Sequence, residues 1–319
     1  MKKPHALITG IAGFAGSFLA EELLAHDYKV TGSIVGRESL RNIKKIQSRL
    51  KLTKLDVQKP NECSRRIIQT NPDYIFHLAA FSSVGQSFNN ERLTYKVNFE
   101  GTLNILSAAL ELKNLKKLVF VSSADVYGTF KPANKLLTEK QPFNPISPYA
   151  VSKAAAEFLC ELYSDRHQLP VTIARSFNHT GPRQNEFFVV SSFAKQIAEI
   201  EVKGKEPIIH VGDLSAKRDF SDVRDIAAGY RLLAEKGASG EVYQLASGNA
   251  VSIKHILELL LKMSDKTIIV KTDNSRLRKN DIPCLKGDNR KARNKIGFRP
   301  KYSLNQTLAD TLNYWREQI

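Results

Sequence analysis

Tyr149 and Lys153 stand four residues apart in Ser147-Pro148-Tyr149-Ala150-Val151-Ser152-Lys153. The string reads as a helix entry, with Ser147 as N-cap and Pro148 at the first helical position. On a helix that spacing puts both side chains on one face. An ammonium beside a phenol stabilises the phenolate and draws the tyrosine pKa toward neutral pH, where it can move protons. The same spacing is common on solvated helix faces, so the pair takes its meaning from its place in the chain. A serine hydroxyl, Ser123, closes the apolar run that continues as Ala124-Asp125-Val126-Tyr127-Gly128. A serine at the carboxyl edge of a sheet can hydrogen-bond a substrate oxygen held against Tyr149.

A second chemical signature comes first in the chain. Gly10-Ile11-Ala12-Gly13-Phe14-Ala15-Gly16 follows an apolar run directly and opens a helical pattern. Glycines at such a turn let the backbone approach a pyrophosphate, while the helix N-terminus supplies amide donors and a favourable dipole. An NAD-selective site places an Asp or Glu at the end of the second strand, on the ribose 2′-hydroxyl. Here that end reads Thr31-Gly32-Ser33-Ile34-Val35-Gly36-Arg37, without a carboxylate. Ser33 and Arg37 suit a 2′-phosphate, so the expected cofactor is NADP(H) rather than NAD(H).

These residues need a scaffold, and the hydrophobic pattern supplies one. Six apolar runs, Ala6 to Thr9, Lys29 to Ile34, Leu50 to Leu55, Tyr74 to Ala79, Lys117 to Ser122 and Val171 to Ser176, alternate with helical patterns such as Ser17 to Ala25 and Leu93 to Leu112. That alternation predicts an α/β fold with a doubly wound parallel Rossmann sheet. Beyond Asn178 it breaks into a helix near Val190 to Val202, the segment Pro207 to Arg218, a strand at Val242 to Ala246, and helices at Ser252 to Met263 and Leu304 to Gln318. The expected organisation is a cofactor domain of residues 1–177 plus about 212–246. A smaller interleaved substrate domain takes 178–211 plus about 247–319.

Composition narrows the class. The chain has 319 residues, 42% hydrophobic and 25% charged, as in a soluble globular enzyme. Three cysteines, Cys63, Cys160 and Cys284, lack metal-ligand spacing and read as reduced thiols of a cytoplasmic protein, with neither disulfide nor metal. The run after Lys2-Lys3 is too short for a signal peptide, and no stretch approaches the roughly 20 apolar residues of a membrane span. A net charge of +16 is spread along the chain without a nucleic-acid module. It predicts a solvated basic surface and a field favourable to an anionic nucleotide-diphosphate ligand.

The glycine loop, His77-Leu78-Ala79-Ala80, Asn98 in Asn-Phe-Glu-Gly-Thr, the serine-ended strand and Tyr149/Lys153 together resemble the extended short-chain dehydrogenase/reductases. Within them, Arg175-Ser176-Phe177-Asn178-His179-Thr180-Gly181-Pro182-Arg183-Gln184, Lys217-Arg218-Asp219-Phe220-Ser221-Asp222-Val223-Arg224-Asp225 and Leu277-Arg278-Lys279-Asn280-Asp281-Ile282-Pro283 are similar to the GDP-mannose branch. The resemblance implies a Ser123, Tyr149, Lys153 triad with Asp125 beside it. It places Gly10, Gly13, Phe14, Ala15, Gly16, Ser33, Arg37, Asp56, Val57, Leu78, Ala79, Ala80, Asn98, Val121, Phe177 and His179 around the cofactor. Ser83, Asn178, Val189, Lys195, Arg218, Arg278 and Asp281, with Ser123 and Asp125, would face a GDP-linked sugar. It further implies a homodimer packed through the helices that carry Leu103, Leu106, Leu110, Phe158 and Leu162.

The branch holds dehydratases and reductases, and one tripeptide bears on the choice. A 4,6-dehydratase of this kind carries Thr-Asp-Glu or Thr-Ser-Glu, an acid/base pair that removes the C5 proton and expels the C6 hydroxyl. Here the positions are Ser123, Ala124 and Asp125. Alanine moves no proton, Asp is a methylene short of Glu, and a misplacement near 1 Å costs about a hundredfold. The expected reaction is therefore NADPH-dependent reduction of a GDP-4-keto-6-deoxy-hexose. The alternatives are dehydration, 4-epimerisation and, outside catalysis, an NADP-binding sensor.

Overall fold

Leu7 and Ile8 are neighbours in the first strand and both are fully buried, in two different apolar clusters. Side chains alternate across a strand, so this pattern requires helices on both faces of the sheet. The computed structural model describes residues 3–132, 134–277 and 282–319. Its large sheet comprises β1 (His5–Thr9), β2 (Lys29–Ile34), β3 (Lys51–Lys54), β4 (Tyr74–His77), β5 (Lys117–Ser123), β6 (Val171–Ser176) and, from far along the chain, β10 (Val242–Leu245). All its pairings are parallel, in the order β10-β6-β5-β4-β1-β2-β3. The order reverses between β1 and β4, the switch point where open α/β sheets bind ligands.

One face of the sheet is covered by α1 (Phe14–Ala25) and α8 (Val223–Lys236), through Phe18, Leu19, Leu23, Ile226, Tyr230 and Leu233. The other carries α2 (Pro60–Thr70), α5 (Gly101–Ala109) and α6 (Pro148–His167), through Ile67, Ile105, Leu106, Ala156 and Cys160. Short helices α3 (Val84–Ser87) and α4 (Glu91–Tyr95) lead into α5. The helix expected over Leu93 to Leu112 is interrupted by a π-turn at Lys96–Glu100. The fourth apolar run also ends early, at His77, because the Leu78 and Ala79 amides both donate to Thr9 Oγ1 at 3.1 Å.

The remaining chain builds a smaller layer. Helices α7 (Val189–Lys203), α9 (Ile253–Leu261) and α11 (Leu304–Gln318) enclose Phe193, Ile197, Leu257, Leu312 and Trp315. Strand β8 (Ile208–Val211) pairs with β12 (Ile269–Thr272), and β9 (Lys217–Asp222) gathers β7 (Asn178–Thr180), β11 (Ala250–Ser252) and β13 (Cys284–Leu285). The last short helix, α10 (Arg290–Ile296), sends Ala292 and Ile296 into the cluster beneath α1 and α8. Among the described residues no helix is long and apolar enough to cross a membrane.

Three aspartates around the end of β9 fasten these layers. Buried Asp219 accepts from Ser247 N at 2.8 Å, Ser247 Oγ at 2.6 Å, Gly248 N at 3.0 Å and Gly287 N at 3.2 Å. Asp222 caps α8 through Arg224 N and takes the Thr307 hydroxyl of α11. Asp225 accepts from the amides of Lys301 and Tyr302. Asp219→Ala would strand three backbone donors, of which the buried one, Gly287 N, costs about 1–3 kcal/mol when left unpaired. A loss of at least about 1 kcal/mol in urea-induced unfolding is expected, and an unchanged midpoint would remove Asp219 from this role.

Candidate active site

The glycine loop sits at the switch point with a geometry that side chains would destroy. Gly10 is left-handed at φ +72°, and a Cβ there would stand 3.1 Å from the backbone of Ala79. A Cβ on Gly16 would lie 2.3 Å from the Gly10 carbonyl oxygen. Gly13, the N-cap of α1, offers no side-chain acceptor, and the first turn holds no acid. The amides around Phe14, Ala15 and Gly16 are thereby left to an anionic ligand, which fits the pyrophosphate of a dinucleotide. Ser33, at the end of β2, is buried and accepts from Gly10 N at 3.3 Å. Phe14 stacks on the His179 ring with centroids 5.9 Å apart and an interplanar angle of 9°. His179 in turn contacts the Phe177 carbonyl through Nδ1, at 3.0 Å.

A hydroxyl–imidazole relay stiffens the same edge. Thr9 Oγ1, already accepting the Leu78 and Ala79 amides, lies 2.8 Å from His77 Nδ1, while His77 Nε2 lies 3.1 Å from Thr102 Oγ1. Thr102 spends its own proton on the Asn98 carbonyl. Consistency along this chain requires a neutral imidazole protonated on Nε2. Burial, with help from the Lys153 charge, pushes His77 down to about 3. Asn98 sits in the π-turn and clamps residue 81 from both sides, accepting from Phe81 N at 2.7 Å and donating to Phe81 O at 3.2 Å. It also donates to Ser152 Oγ at 2.9 Å, on the helix of Tyr149 and Lys153.

Tyr149 enters through the expected cap, since Ser147 Oγ accepts from Ala150 N at 3.1 Å. Tyr149 and Lys153 are both buried on α6. The Lys153 ammonium donates to the Val121 carbonyl at 2.7 Å and lies over the Phe120 ring, and burial pushes it down to about 8. Tyr149 departs from the expectation that Lys153 would lower it. Its phenol is held above the usual range by burial first and by the Asp125 charge second, with a hydrogen bond to Ser123 opposing them. Ser123 donates to Asp125 Oδ2 at 2.9 Å and accepts from Asp125 N at 3.2 Å.

Sequence reasoning placed no carboxylate at the end of β2, and the structure corrects this. Glu38, one residue past the stretch considered, folds its carboxylate back onto the amides of Val35, Gly36 and Arg37. It also missed the buried pair of Glu157 on α6 and Arg175 on β6, in which Arg175 Nε reaches the two carboxylate oxygens at 3.1 and 2.9 Å. A buried Glu and Arg 18 residues apart leave no periodic signal.

The residues expected around substrate and cofactor are more dispersed. Ser83 caps α3, Asp56 Oδ1 accepts from Gln58 N just before buried Val57, and Asn178 is exposed on β7. Val189 opens α7, on which Lys195 pairs with Glu186 and Glu199 over the Trp315 ring. Arg218 is buried, and its Nη1 donates to the carbonyls of Lys217 at 2.9 Å and Ile282 at 2.6 Å. Arg278 and Asp281 lie outside the described residues.

Residues 7–311 match the family described as GDP-mannose 4,6 dehydratase. The chain belongs to that family. Within it, the chain is 33% identical over 248 residues to GDP-6-deoxy-D-mannose reductase of Pseudomonas aeruginosa, covering 78% of this chain and 82% of the relative. Among solved structures it resembles RMD from Pseudomonas aeruginosa complexed with NADPH, with a TM-score of 0.86, 29% identity and coverage of 99% and 100%. A UDP-glucose 4-epimerase from Thermus thermophilus complexed with NAD superposes with a TM-score of 0.88 at 27% identity, with the same coverage. The protein is thus an enzyme of the short-chain dehydrogenase/reductase type, with the Rossmann fold read from its apolar runs.

The His77 relay yields a pH test. Its folded pKa, about 3, lies below the unfolded value of about 6.5, so between them the unfolded chain binds the extra proton. The associated stability is fully present above pH ~6.5 and declines as the pH falls. One proton corresponds to about 1.4 kcal/mol per pH unit. Unfolding free energies between pH 6 and 4 should therefore fall more steeply in the wild type than in His77→Gln, by about that slope. Equal slopes would mean that the imidazole is charged in the fold.

Proposed function

We propose that this enzyme reduces the 4-keto group of a GDP-4-keto-6-deoxy-hexose, using NADPH. One observation carries the choice over dehydration: Ala124 is buried and inert, and the Asp125 carboxylate is turned back onto the Ser123 hydroxyl. No acid/base pair follows the catalytic hydroxyl to act at C5 and C6. The named relatives support GDP-sugar chemistry, since one is a GDP-6-deoxy-D-mannose reductase and the family is described by a GDP-mannose dehydratase. Solved neighbours complexed with NADPH and with NAD support a nicotinamide cofactor, and buried Ser33 with exposed Arg37 favours the phosphorylated form.

NADPH, when bound, supplies the hydride. In this reading the loop from Gly10 to Gly16 holds the pyrophosphate and Lys153 the nicotinamide ribose. Ser123 donates to the ketone oxygen, trading its bond to Asp125 for one to substrate. Tyr149 delivers the proton to the oxygen as negative charge develops there. Reduction starts from the protonated phenol, and burial keeps Tyr149 in that state. The three cysteines are unpaired and suit a cytoplasmic setting.

A homodimer is part of the proposal. Of the five apolar residues expected to mediate it, Leu106 is fully buried in the core beneath α5. Leu110, Phe158 and Leu162 remain 41%, 60% and 49% exposed, joined by Val151 at 39%, and form the outward face offered to a second copy. A mass near twice 35.8 kDa in light scattering is expected, and a monomer at micromolar concentration would exclude this assembly.

Tyr149→Phe should lower turnover at least about a hundredfold with folding intact, the scale of general acid catalysis. The substrate is tested by offering NADPH with GDP-4-keto-6-deoxy-mannose and, separately, GDP-mannose with NADP+. NADPH oxidation in the first mixture and silence in the second is the expected result. A 4-keto-6-deoxy product in the second would make the enzyme a dehydratase, and turnover of UDP- or TDP-sugars alone would refute the GDP assignment. Nucleotide-sugar binding without turnover would leave the sensor reading.

A further inference from the structure

The turn after β2 is built as an anion receptacle, and a side chain of the protein fills it. Glu38 Oε1 accepts from Val35 N at 2.8 Å, and Oε2 accepts from Gly36 N at 2.7 Å and Arg37 N at 3.0 Å. Three consecutive amides converge because Gly36 is left-handed at φ +89°, with open space where a Cβ would point. Such backbone nests are general anion sites. Burial alone would raise the Glu38 carboxyl, yet the backbone bonds, including one from its own amide, hold it below the usual range.

The position of the nest gives it meaning. Ser33 accepts from Gly10 N before the turn, and Asn42 Nδ2 donates to the Ala12 carbonyl at 3.0 Å after it. The turn is thereby fastened to the phosphate loop on both sides, at the strand end where a dinucleotide presents its adenosine ribose. The Arg37 side chain is exposed beside the nest.

We propose that Glu38 controls cofactor selectivity as an internal competitor: its carboxylate occupies the three-amide nest, and an adenosine 2′-phosphate binds by displacing it. A carboxylate and a phosphate cannot share one set of donors, and two anions at this distance repel. The nest therefore exchanges one anion for another instead of filling from empty, which weakens binding of the phosphorylated cofactor. Loss of Glu38 frees the donors and removes the repulsion. A ligand without the 2′-phosphate has no claim on the nest and is insensitive to the change.

The inference rests on the NADP(H) reading, and its test separates the two. Wild type, Glu38→Ala and Glu38→Gln are titrated calorimetrically with 2′,5′-ADP and 5′-AMP, which differ only in the 2′-phosphate. The Ala variant should bind 2′,5′-ADP about tenfold tighter than wild type, with Gln between, while 5′-AMP stays within about twofold in all three. Gln keeps the shape of the side chain and one acceptor oxygen, so a graded series reports charge rather than a collapsed turn. Unchanged or weaker 2′,5′-ADP binding in the Ala variant overturns the proposal. So does a comparable loss of 5′-AMP affinity, which would make the carboxylate a partner of the ribose hydroxyl. NADH binding to wild type as tightly as NADPH would refute the cofactor reading alone, with the Ala-variant gain still deciding the role of Glu38.

Discussion

The sheet edge that carries Ser123, Tyr149 and Lys153 depends on a charge pair that water does not reach. Glu157 and Arg175 have side-chain exposures of 0% and 4%, with Arg175 Nη2 and Glu157 Oε2 2.8 Å apart. The guanidinium lies against the rings of Tyr127 and Phe143 and donates to the Tyr127 hydroxyl and the Glu139 carbonyl. Ser122 donates its hydroxyl to the same glutamate. One carboxylate thus joins α6, β5 and β6, the elements that carry Tyr149 and Lys153, Ser123, and the Phe177 turn. Glu157 stands one helical turn past Lys153, and Ser122 adjoins Ser123, so a shift in the pair displaces Ser123, Tyr149 and Lys153 as a unit. Such a pair adds little net stability against an apolar substitute, whereas losing one partner costs about 3–5 kcal/mol. Its contribution is registry: the two carboxylate oxygens accept a fork from one direction and a hydroxyl from another, which permits one rotation of α6 against the sheet.

Around that anchor, burial determines protonation. His77 is neutral, Lys153 is brought down to about 8 and the Tyr149 phenol is held up, with desolvation the largest cause in each case. The expected coupling, an ammonium lowering its neighbouring phenol, gives way to burial, and the charge felt by Tyr149 is that of Asp125. A site in this condition rests with its phenol protonated. The proposed reduction would start from that state, with the tyrosine as the acid.

What the sequence discloses follows from the range of each interaction. The glycine loop, the serine at the end of β5 and the Tyr149-to-Lys153 spacing are local, and their surroundings are periodic, so the doubly wound parallel sheet and the position of its carboxyl edge were legible. Glu157 was not, because a glutamate on a helix of alternating polarity looks solvated until Arg175 is brought against it from another strand. Asp219, Asp222 and Asp225 read as part of a family motif, yet each accepts hydrogen bonds from distant segments. The early end of β4 escaped for a related reason: Leu78 and Ala79 are apolar, and only the Thr9 hydroxyl withdraws their amides from the ladder.

Glu38 shows a different limit. The rule that links an acid at the second strand end to NAD reads position in sequence, whereas Glu38, one residue past that stretch, turns its carboxylate onto the amides of the turn itself. Position in sequence and position in space separate here because Gly36 reverses the chain. Two further carboxylates behave alike, since Lys195, assigned by resemblance to the substrate, is already paired with Glu186 and Glu199. A chain of net charge +16 thus directs carboxylates of its own at two expected anion sites. Under the proposal for Glu38, the long-range field would draw nucleotides in, and local exchange of one anion for another would set which of them stay. Attraction and selectivity are in this way assigned to different charges, and the second can be altered at a single residue while the first is left intact.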